Sequence, residues 1–168
     1  MSSLVIDQPM RLVTSSRSRK TDDHNNWVLA APFRAHVSYL MNTAQVPWPV
    51  IAYQAGVPLA AVRTLIFGRG GKVRPRITHT FAARLIDVCV EDLRWMRTSQ
   101  ISAENTGMRI RLLRSLHIPW QEISAFLELD EETCQGIARG ERTSCSVMVD
   151  VLALSACAAV GLAPWEGA

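Results

Sequence analysis

Apolar residues recur at three- and four-residue steps along most of the chain, a spacing that predicts a series of amphipathic helices. Phe33, Val37, Leu40 and Met41 mark the first of them within residues 27–44. Pro47 ends this helix and Pro49 suits the first turn of the next. Similar spacing predicts further helices over residues 78–90, 106–116, 120–139 and 147–162, the last nearly without charge. The pattern therefore predicts an all-α fold.

One stretch of this pattern occurs twice. Val46-Pro47-Trp48 recurs 72 residues later as Ile118-Pro119-Trp120. At the same interval we match Leu40 with Leu112, Val57 with Leu129, Leu65 with Ile137 and Gly68 with Gly140. Repetition at a fixed interval indicates a duplicated structural unit. We predict two tandem helix-turn-helix-type helical domains, joined by a short linker or a connecting helix.

The expected domain boundaries follow changes in composition. Residues 1–26 are polar and basic and predict a flexible N-terminal arm, for which contact with DNA and simple solvation are equally good interpretations. Residues 27–97 form the first domain, residues 98–105 a polar linker, and residues 106–168 a second, divergent domain. We expect the apolar stretch from residue 147 to pack into a core or against the first domain.

Residues 48–67 match a helix-turn-helix closely. Ala52 is small enough to let two helices cross, Gly56 suits a turn that needs a positive φ, and Val57 follows as its apolar plug. Pro58 fits the start of the second helix. The core-facing positions are Ile51, Val62 and Leu65. A generic helical hairpin is the alternative, but it would not require a small residue and a glycine at these positions.

Charge is distributed unevenly between the two halves. Residues 1–99 hold 13 Lys and Arg against 6 Asp and Glu, a balance of +7, whereas residues 100–168 hold 5 against 9, a balance of −4. A basic, glycine-rich loop over residues 68–76 follows the second helix of the motif, where it can contact phosphates; a surface loop without such a role is the alternative. The candidate DNA contacts of the first domain are Pro58, Leu59, Ala60, Arg63, Thr64, Arg69, Lys72, Arg74, Arg76 and His79.

The second domain departs from this pattern. Glu128 stands where the first copy has Gly56, so we expect a different turn. Asp130-Glu131-Glu132 suit a helix N-terminus but would repel phosphate. Its candidate backbone contacts lie just beyond and are Arg139, Arg142, Thr143 and Ser144.

Other functional classes find little support in the sequence. The four cysteines form no C-x-x-C pair and no zinc spacing with histidine, which favours buried free thiols and predicts no metal or cofactor. His24, His36, His79 and His117 lie on separate elements, and no nucleophile elbow or P-loop occurs, so we do not expect an enzyme. No apolar run predicts a membrane span or a signal core, which favours an intracellular protein.

Pro-Trp-x-x-Ile-Ala at residues 47–52, the turn at Gly56, the basic loop and the second Pro-Trp unit together resemble the immunity repressors of temperate actinobacterial phages, in particular those of cluster A mycobacteriophages. This resemblance implies an all-helical repressor with two DNA-binding domains. It would bind asymmetric operators in double-stranded DNA as a monomer, in the cytoplasm of a bacterial host. The alternatives are a homodimer, or a DNA-binding N-terminal domain whose acidic C-terminal partner serves protein interaction or dimerisation.

Overall fold

The two similar segments of the chain fold with the same order of elements. The computed structural model describes residues 26–163. In each segment a strand is followed by three helices, a second strand and a further helix. The first repeat (residues 26–86) contains β1 (Trp27–Leu29), α1 (Ala31–Ala44), α2 (Trp48–Ala55), α3 (Leu59–Phe67), β2 (Arg76–Thr78) and α4 (His79–Ile86). After α5 (Val90–Thr98), the second repeat (residues 99–159) contains β3 (Gln100–Ser102), α6 (Glu104–Ser115), α7 (Trp120–Phe126), α8 (Glu131–Arg139), β4 (Ser144–Ser146) and α9 (Val147–Ala159).

The described residues are mainly helical, as expected, but the all-α prediction missed two short antiparallel strand pairs. β1 pairs with β2 and β3 pairs with β4, each over three residues. Strands this short show no usable alternation of apolar and polar residues, and their partners lie far apart in the chain. Each pair leads directly into a helix. The Thr78 hydroxyl accepts a hydrogen bond from the Phe81 N–H at 3.3 Å, and Ser146 accepts one from Val149 at 3.2 Å.

The turns between the helices recur with the same backbone conformation. Gln45 and His117 both have positive φ, at 57° and 64°. Gly56 and Glu128 do as well, at 63° and 54°, so the expectation of a different turn at Glu128 was wrong. Equivalent hydrogen bonds close the two turns, Val57 N–H to Ala52 O and Leu129 N–H to Ser124 O. A left-handed glutamate costs about 1–2 kcal/mol.

One of the matched pairs is displaced by a residue. Leu40 is buried, but Leu112 is 38% exposed and the buried residue is Leu113. The cause is that α6 ends earlier than α1. Ala30 and Ala103 each directly precede their helix, and a left-handed residue follows each helix, Gln45 in the first repeat and His117 in the second. Counted from the alanine, the left-handed residue comes one position earlier in the second repeat.

The hydrophobic core runs through both repeats. α9 packs against α6 of its own repeat and also against α2 and α5, which confirms that this apolar stretch is a core helix. The expected linker, residues 98–105, contains β3 and the beginning of α6. Within residues 26–163 no helix is long and apolar enough to cross a membrane. Apart from Asn26, the predicted N-terminal arm lies outside the described residues.

Candidate nucleic-acid interface

α2 and α3 pack against each other around a tight turn that matches the predicted motif. Gly56 ends α2 in the left-handed conformation, with φ 63° and ψ 42°. Ala52 and Val57 are buried at the crossing, as are the predicted core residues Ile51, Val62 and Leu65. Pro58 precedes the first residue of α3. The sequence therefore identified both helices of this pair and the residues that hold them together.

The outward face of α3 carries few polar side chains. Arg63 and Ala60 are exposed and Thr64 is half-buried, while Phe67 is 61% exposed at the end of the helix. The Phe67 ring meets the Trp48 ring edge to face at 6.5 Å, so half-buried Trp48 supports this end of α3. α3 thus presents one cation and small or apolar groups, a surface that can approach base edges closely.

Arg34 on α1 holds the end of α3 and the loop that follows it. Its Nε donates to the Leu65 carbonyl at 2.8 Å, and its Nη2 donates to the Arg74 carbonyl at 3.1 Å. The last carbonyls of a helix lack partners within the helix, so a guanidinium stabilises them well. Arg34 was not among the predicted site residues, because nothing in the local sequence pattern indicates partners 31 and 40 residues away.

The basic loop contains a tight hairpin turn over residues 69–72. Arg69 and Lys72 exchange backbone hydrogen bonds of 2.9 and 3.2 Å. Gly70 and Gly71 between them both have positive φ, 59° and 76°, as a type I′ turn requires. Gly68 enters the hairpin with φ 75° and ψ −171°, and a Cβ there would lie 2.4 Å from the Lys72 carbonyl oxygen. The glycines therefore specify one tight turn.

A concavity of roughly 1170 Å³ lies among α3, the hairpin, the β1–β2 pair and α4. Four arginines line it and, among the described residues, no Asp or Glu does; they are Arg63, Arg69, Arg74 and Arg84. Arg84 also donates through Nη1 to the Gly56 carbonyl at 2.5 Å, which links α4 to the turn of the motif. Hydroxyls of Thr64, Thr78 and Thr80 and the rings of Trp27, Phe67 and Phe81 complete the lining.

The structure brings most of the predicted contact residues of the first repeat together. Pro58, Ala60, Arg63, Thr64, Arg69 and Arg74 line the concavity. Lys72, Arg76 and His79 are exposed beside it, on the hairpin, on β2 and at the start of α4, while Leu59 is half-buried. Sequence reasoning missed Arg84, Trp27, Phe81 and Thr80, which tertiary packing adds to the same surface.

The corresponding surface of the second repeat lacks this cationic character. Eight positions separate Gly68 from Arg76 but four separate Gly140 from Ser144, so the second repeat has no counterpart of the hairpin. Gln135 takes the place of Arg63. Its Nε2 donates to Glu131 at 2.9 Å, and its Oε1 accepts from Arg139 at 3.0 Å. Gln135 is therefore paired with two neighbours on its own helix.

The other predicted residues of the second repeat are exposed but are not part of the concavity. Arg139 also lies 3.9 Å from Glu141, and the Arg142 side chain lies over Gly136. The Thr143 carbonyl accepts a hydrogen bond from Ala103 at 3.0 Å, and Ser144 begins β4. Asp130 caps α8, where hydrogen bonds from the Thr133 hydroxyl and N–H lower the pKa of its carboxyl.

Groups suited to catalysis or metal binding are scattered. In residues 26–163 no three His, Cys, Asp or Glu side chains come together as a metal site. His36 stacks on Tyr39, while His79 and His117 are exposed on other elements; His24 lies outside the described residues. Three of the four cysteines are buried free thiols, and burial raises the pKa of Cys134 to about 11. Cys89 is exposed.

Neither the protein-family models, the curated proteins nor the solved structures include a match to this chain. The geometry and charge of the concavity are therefore the basis for a functional proposal.

Proposed function

We propose that this protein is a sequence-specific repressor that binds double-stranded DNA, of the phage immunity repressor type. The observation that carries the proposal is the concavity beside α3, which holds four arginines and no carboxylate among the described residues. Cations gathered on one side of a helix-turn-helix are the electrostatic footprint of a DNA-binding surface. Bound over a promoter, the protein would block RNA polymerase.

In this proposal α3 enters the major groove. Arg63 is exposed near its middle and would donate to guanine O6 and N7, a contact worth about 1–3 kcal/mol of discrimination. Ala60 and Thr64 offer methyl groups for contact with thymine. Arg34 acts through α3 as a positioning residue, because it anchors the Leu65 and Arg74 carbonyls.

The remaining cations would hold the sugar–phosphate backbone. Arg69, Lys72, Arg74 and Arg76 are all exposed and follow α3 directly. Each phosphate that they neutralise releases counterions, which makes affinity depend on salt. Such contacts set the position of the protein on DNA and carry no sequence information themselves.

Selection of bound sequences from a random DNA pool, followed by binding measurements across a salt series, tests the proposal. We expect Arg63→Ala to weaken binding to the selected site more than to random DNA, and Arg74→Ala to weaken both and reduce the salt slope by about 1. Arg97→Ala is the matched control, since it removes an exposed arginine that does not line the concavity. Equal effects of all three variants, or no salt-dependent binding by the wild type, would contradict the proposal.

A second candidate concerns the second repeat, which would serve self-association instead of DNA reading. Met108 and Leu112 on α6 and Leu116 directly after it are all more than a third exposed at four-residue steps, and the acidic first turn of α8 is poorly suited to phosphate. Sedimentation of the full chain with and without Leu112→Asp tests this. A dimer that the substitution dissociates supports the candidate, and a wild type that stays monomeric on and off DNA excludes it.

A further inference from the structure

We propose that the Arg69–Lys72 hairpin places its two cationic side chains in the minor groove beside the site of α3 and makes the protein prefer A·T base pairs there. This inference rests on the proposed function and assigns a base-reading role to residues that would otherwise only hold phosphates. Four observations carry it: the bare tip of the hairpin, its place directly after α3, its paired cations, and its absence from the second repeat.

The tip of the hairpin carries no side chain. A Cβ added to Gly70 or Gly71 would meet no atom within 4 Å. The minor groove, about 6 Å wide, is too narrow for a two-stranded ribbon, but arginine and lysine side chains insert into it. A turn with a bare tip can approach the groove closely enough for the flanking Arg69 and Lys72 side chains to enter it.

The position of the hairpin directs it to the groove next to α3. The helix ends at Phe67 and the hairpin begins two residues later at Arg69, while Phe67, Arg69 and Gly70 all line the same concavity. A helix already fills the major groove that it reads. A hairpin that extends about 7 Å beyond Gly68, two residues at about 3.3 Å each, would then reach the phosphates that flank this groove, and the long side chains of Arg69 and Lys72 would extend from there into the neighbouring minor groove.

The charges of the hairpin have no protein partner among the described residues. Arg69 and Lys72 are directly opposite each other, a pairing of like charges that is unfavourable in a free hairpin. A narrow A·T minor groove has an enhanced negative potential that attracts such side chains. The guanine N2 amino group is the feature that distinguishes G·C from A·T there, and it would obstruct these side chains.

Base analogues separate minor-groove reading from phosphate contact. Replacing adenine by 2,6-diaminopurine in the A·T flank of a selected site adds the N2 amino group and leaves the major-groove acceptor at N7 and donor at N6 in place. We expect wild-type affinity to fall about tenfold. Conversely, inosine in place of guanine in a G·C flank removes that group and should restore the affinity of the A·T flank.

The full-length variant with Arg69→Ala and Lys72→Ala provides the matched test, with Arg97→Ala as control. We expect the double variant to bind all these flanks equally and Arg97→Ala to discriminate like the wild type, with unchanged thermal unfolding in both. A wild type that ignores diaminopurine and inosine but still prefers its selected site would overturn the inference and leave the proposed function intact. Absence of salt-dependent DNA binding would instead contradict the proposed function.

Discussion

Gly68 and Gly140 form a matched pair that tests how the hairpin is specified. Both follow the second helix of the motif and both have φ 75°. Gly68 has ψ −171°, a backbone region almost restricted to glycine, whereas Gly140 has ψ 13° in the ordinary left-handed region. A Cβ at Gly68 would lie 2.4 Å from the Lys72 carbonyl oxygen, while one at Gly140 would meet nothing within 4 Å. Alanine at the two positions should therefore have different effects.

The expected magnitudes follow from these contacts. For Gly68→Ala the backbone strain costs about 1–3 kcal/mol. Displacement of the Lys72 carbonyl, which accepts the Arg69 N–H, costs about 0.5–1.5 kcal/mol more. A stiffer unfolded chain offsets about 0.4–1 kcal/mol in both variants. We expect a net loss of about 2–3 kcal/mol for Gly68→Ala and of about 1 kcal/mol or less for Gly140→Ala, where the left-handed conformation alone costs about 1–2 kcal/mol.

Urea unfolding measures the free energies, and a salt series with a selected DNA site measures the functional effect. If the displaced hairpin no longer places Arg69 and Lys72 on phosphates, Gly68→Ala should reduce the salt slope by about 1.8, at about 0.9 for each contact. Gly140→Ala should leave the slope unchanged. Equal destabilisation by the two substitutions, or an unchanged slope for Gly68→Ala, would refute the reasoning.

Three further predictions concern the support of the site and the buried thiols. Arg34→Ala should destabilise the protein by about 1.5–3 kcal/mol in thermal or urea unfolding, because the Leu65 carbonyl loses a charged donor. Arg34→Lys should restore little of this stability, since an ammonium lacks the guanidinium fork. Thr78→Ala and Ser146→Ala each remove a helix cap, and each should lower the free energy of unfolding by about 1 kcal/mol. Only Thr78→Ala should also weaken DNA binding. Equal effects of the two substitutions on DNA binding would contradict this. Ellman's reagent should label exposed Cys89 in the folded protein and the three buried thiols only on unfolding. Since burial raises the pKa of Cys134 to about 11, the free energy of unfolding measured in urea should not depend on this thiol below about pH 9 and should fall as the pH rises towards 11.

Local sequence determined the helices of the motif and the turns between them. The spacing of Val62 and Leu65, the small Ala52 and the glycine at position 56 are enough to predict α2, α3 and their crossing, because each acts on neighbours within one or two turns. The duplication was equally visible, since Pro-Trp recurs at a fixed interval. It was misread by one residue at Leu112, because the length of a helix end depends on the packing that terminates it.

The strand pairs and the full set of cations around the concavity were decided only by tertiary structure. Arg84 and Trp27 reach the concavity because β1 pairs with β2 and α4 packs beside the motif, contacts between residues distant in the chain. Hydrophobic periodicity reports which face of a single element is buried, and it carries no information about which distant element covers that face. The sequence alone thus determined the α2–α3 pair and the recurrence of its pattern. The three-dimensional packing decided that the first repeat gathers cations around a concavity and that Gln135 of the second repeat, at the position of Arg63, pairs with Glu131 and Arg139.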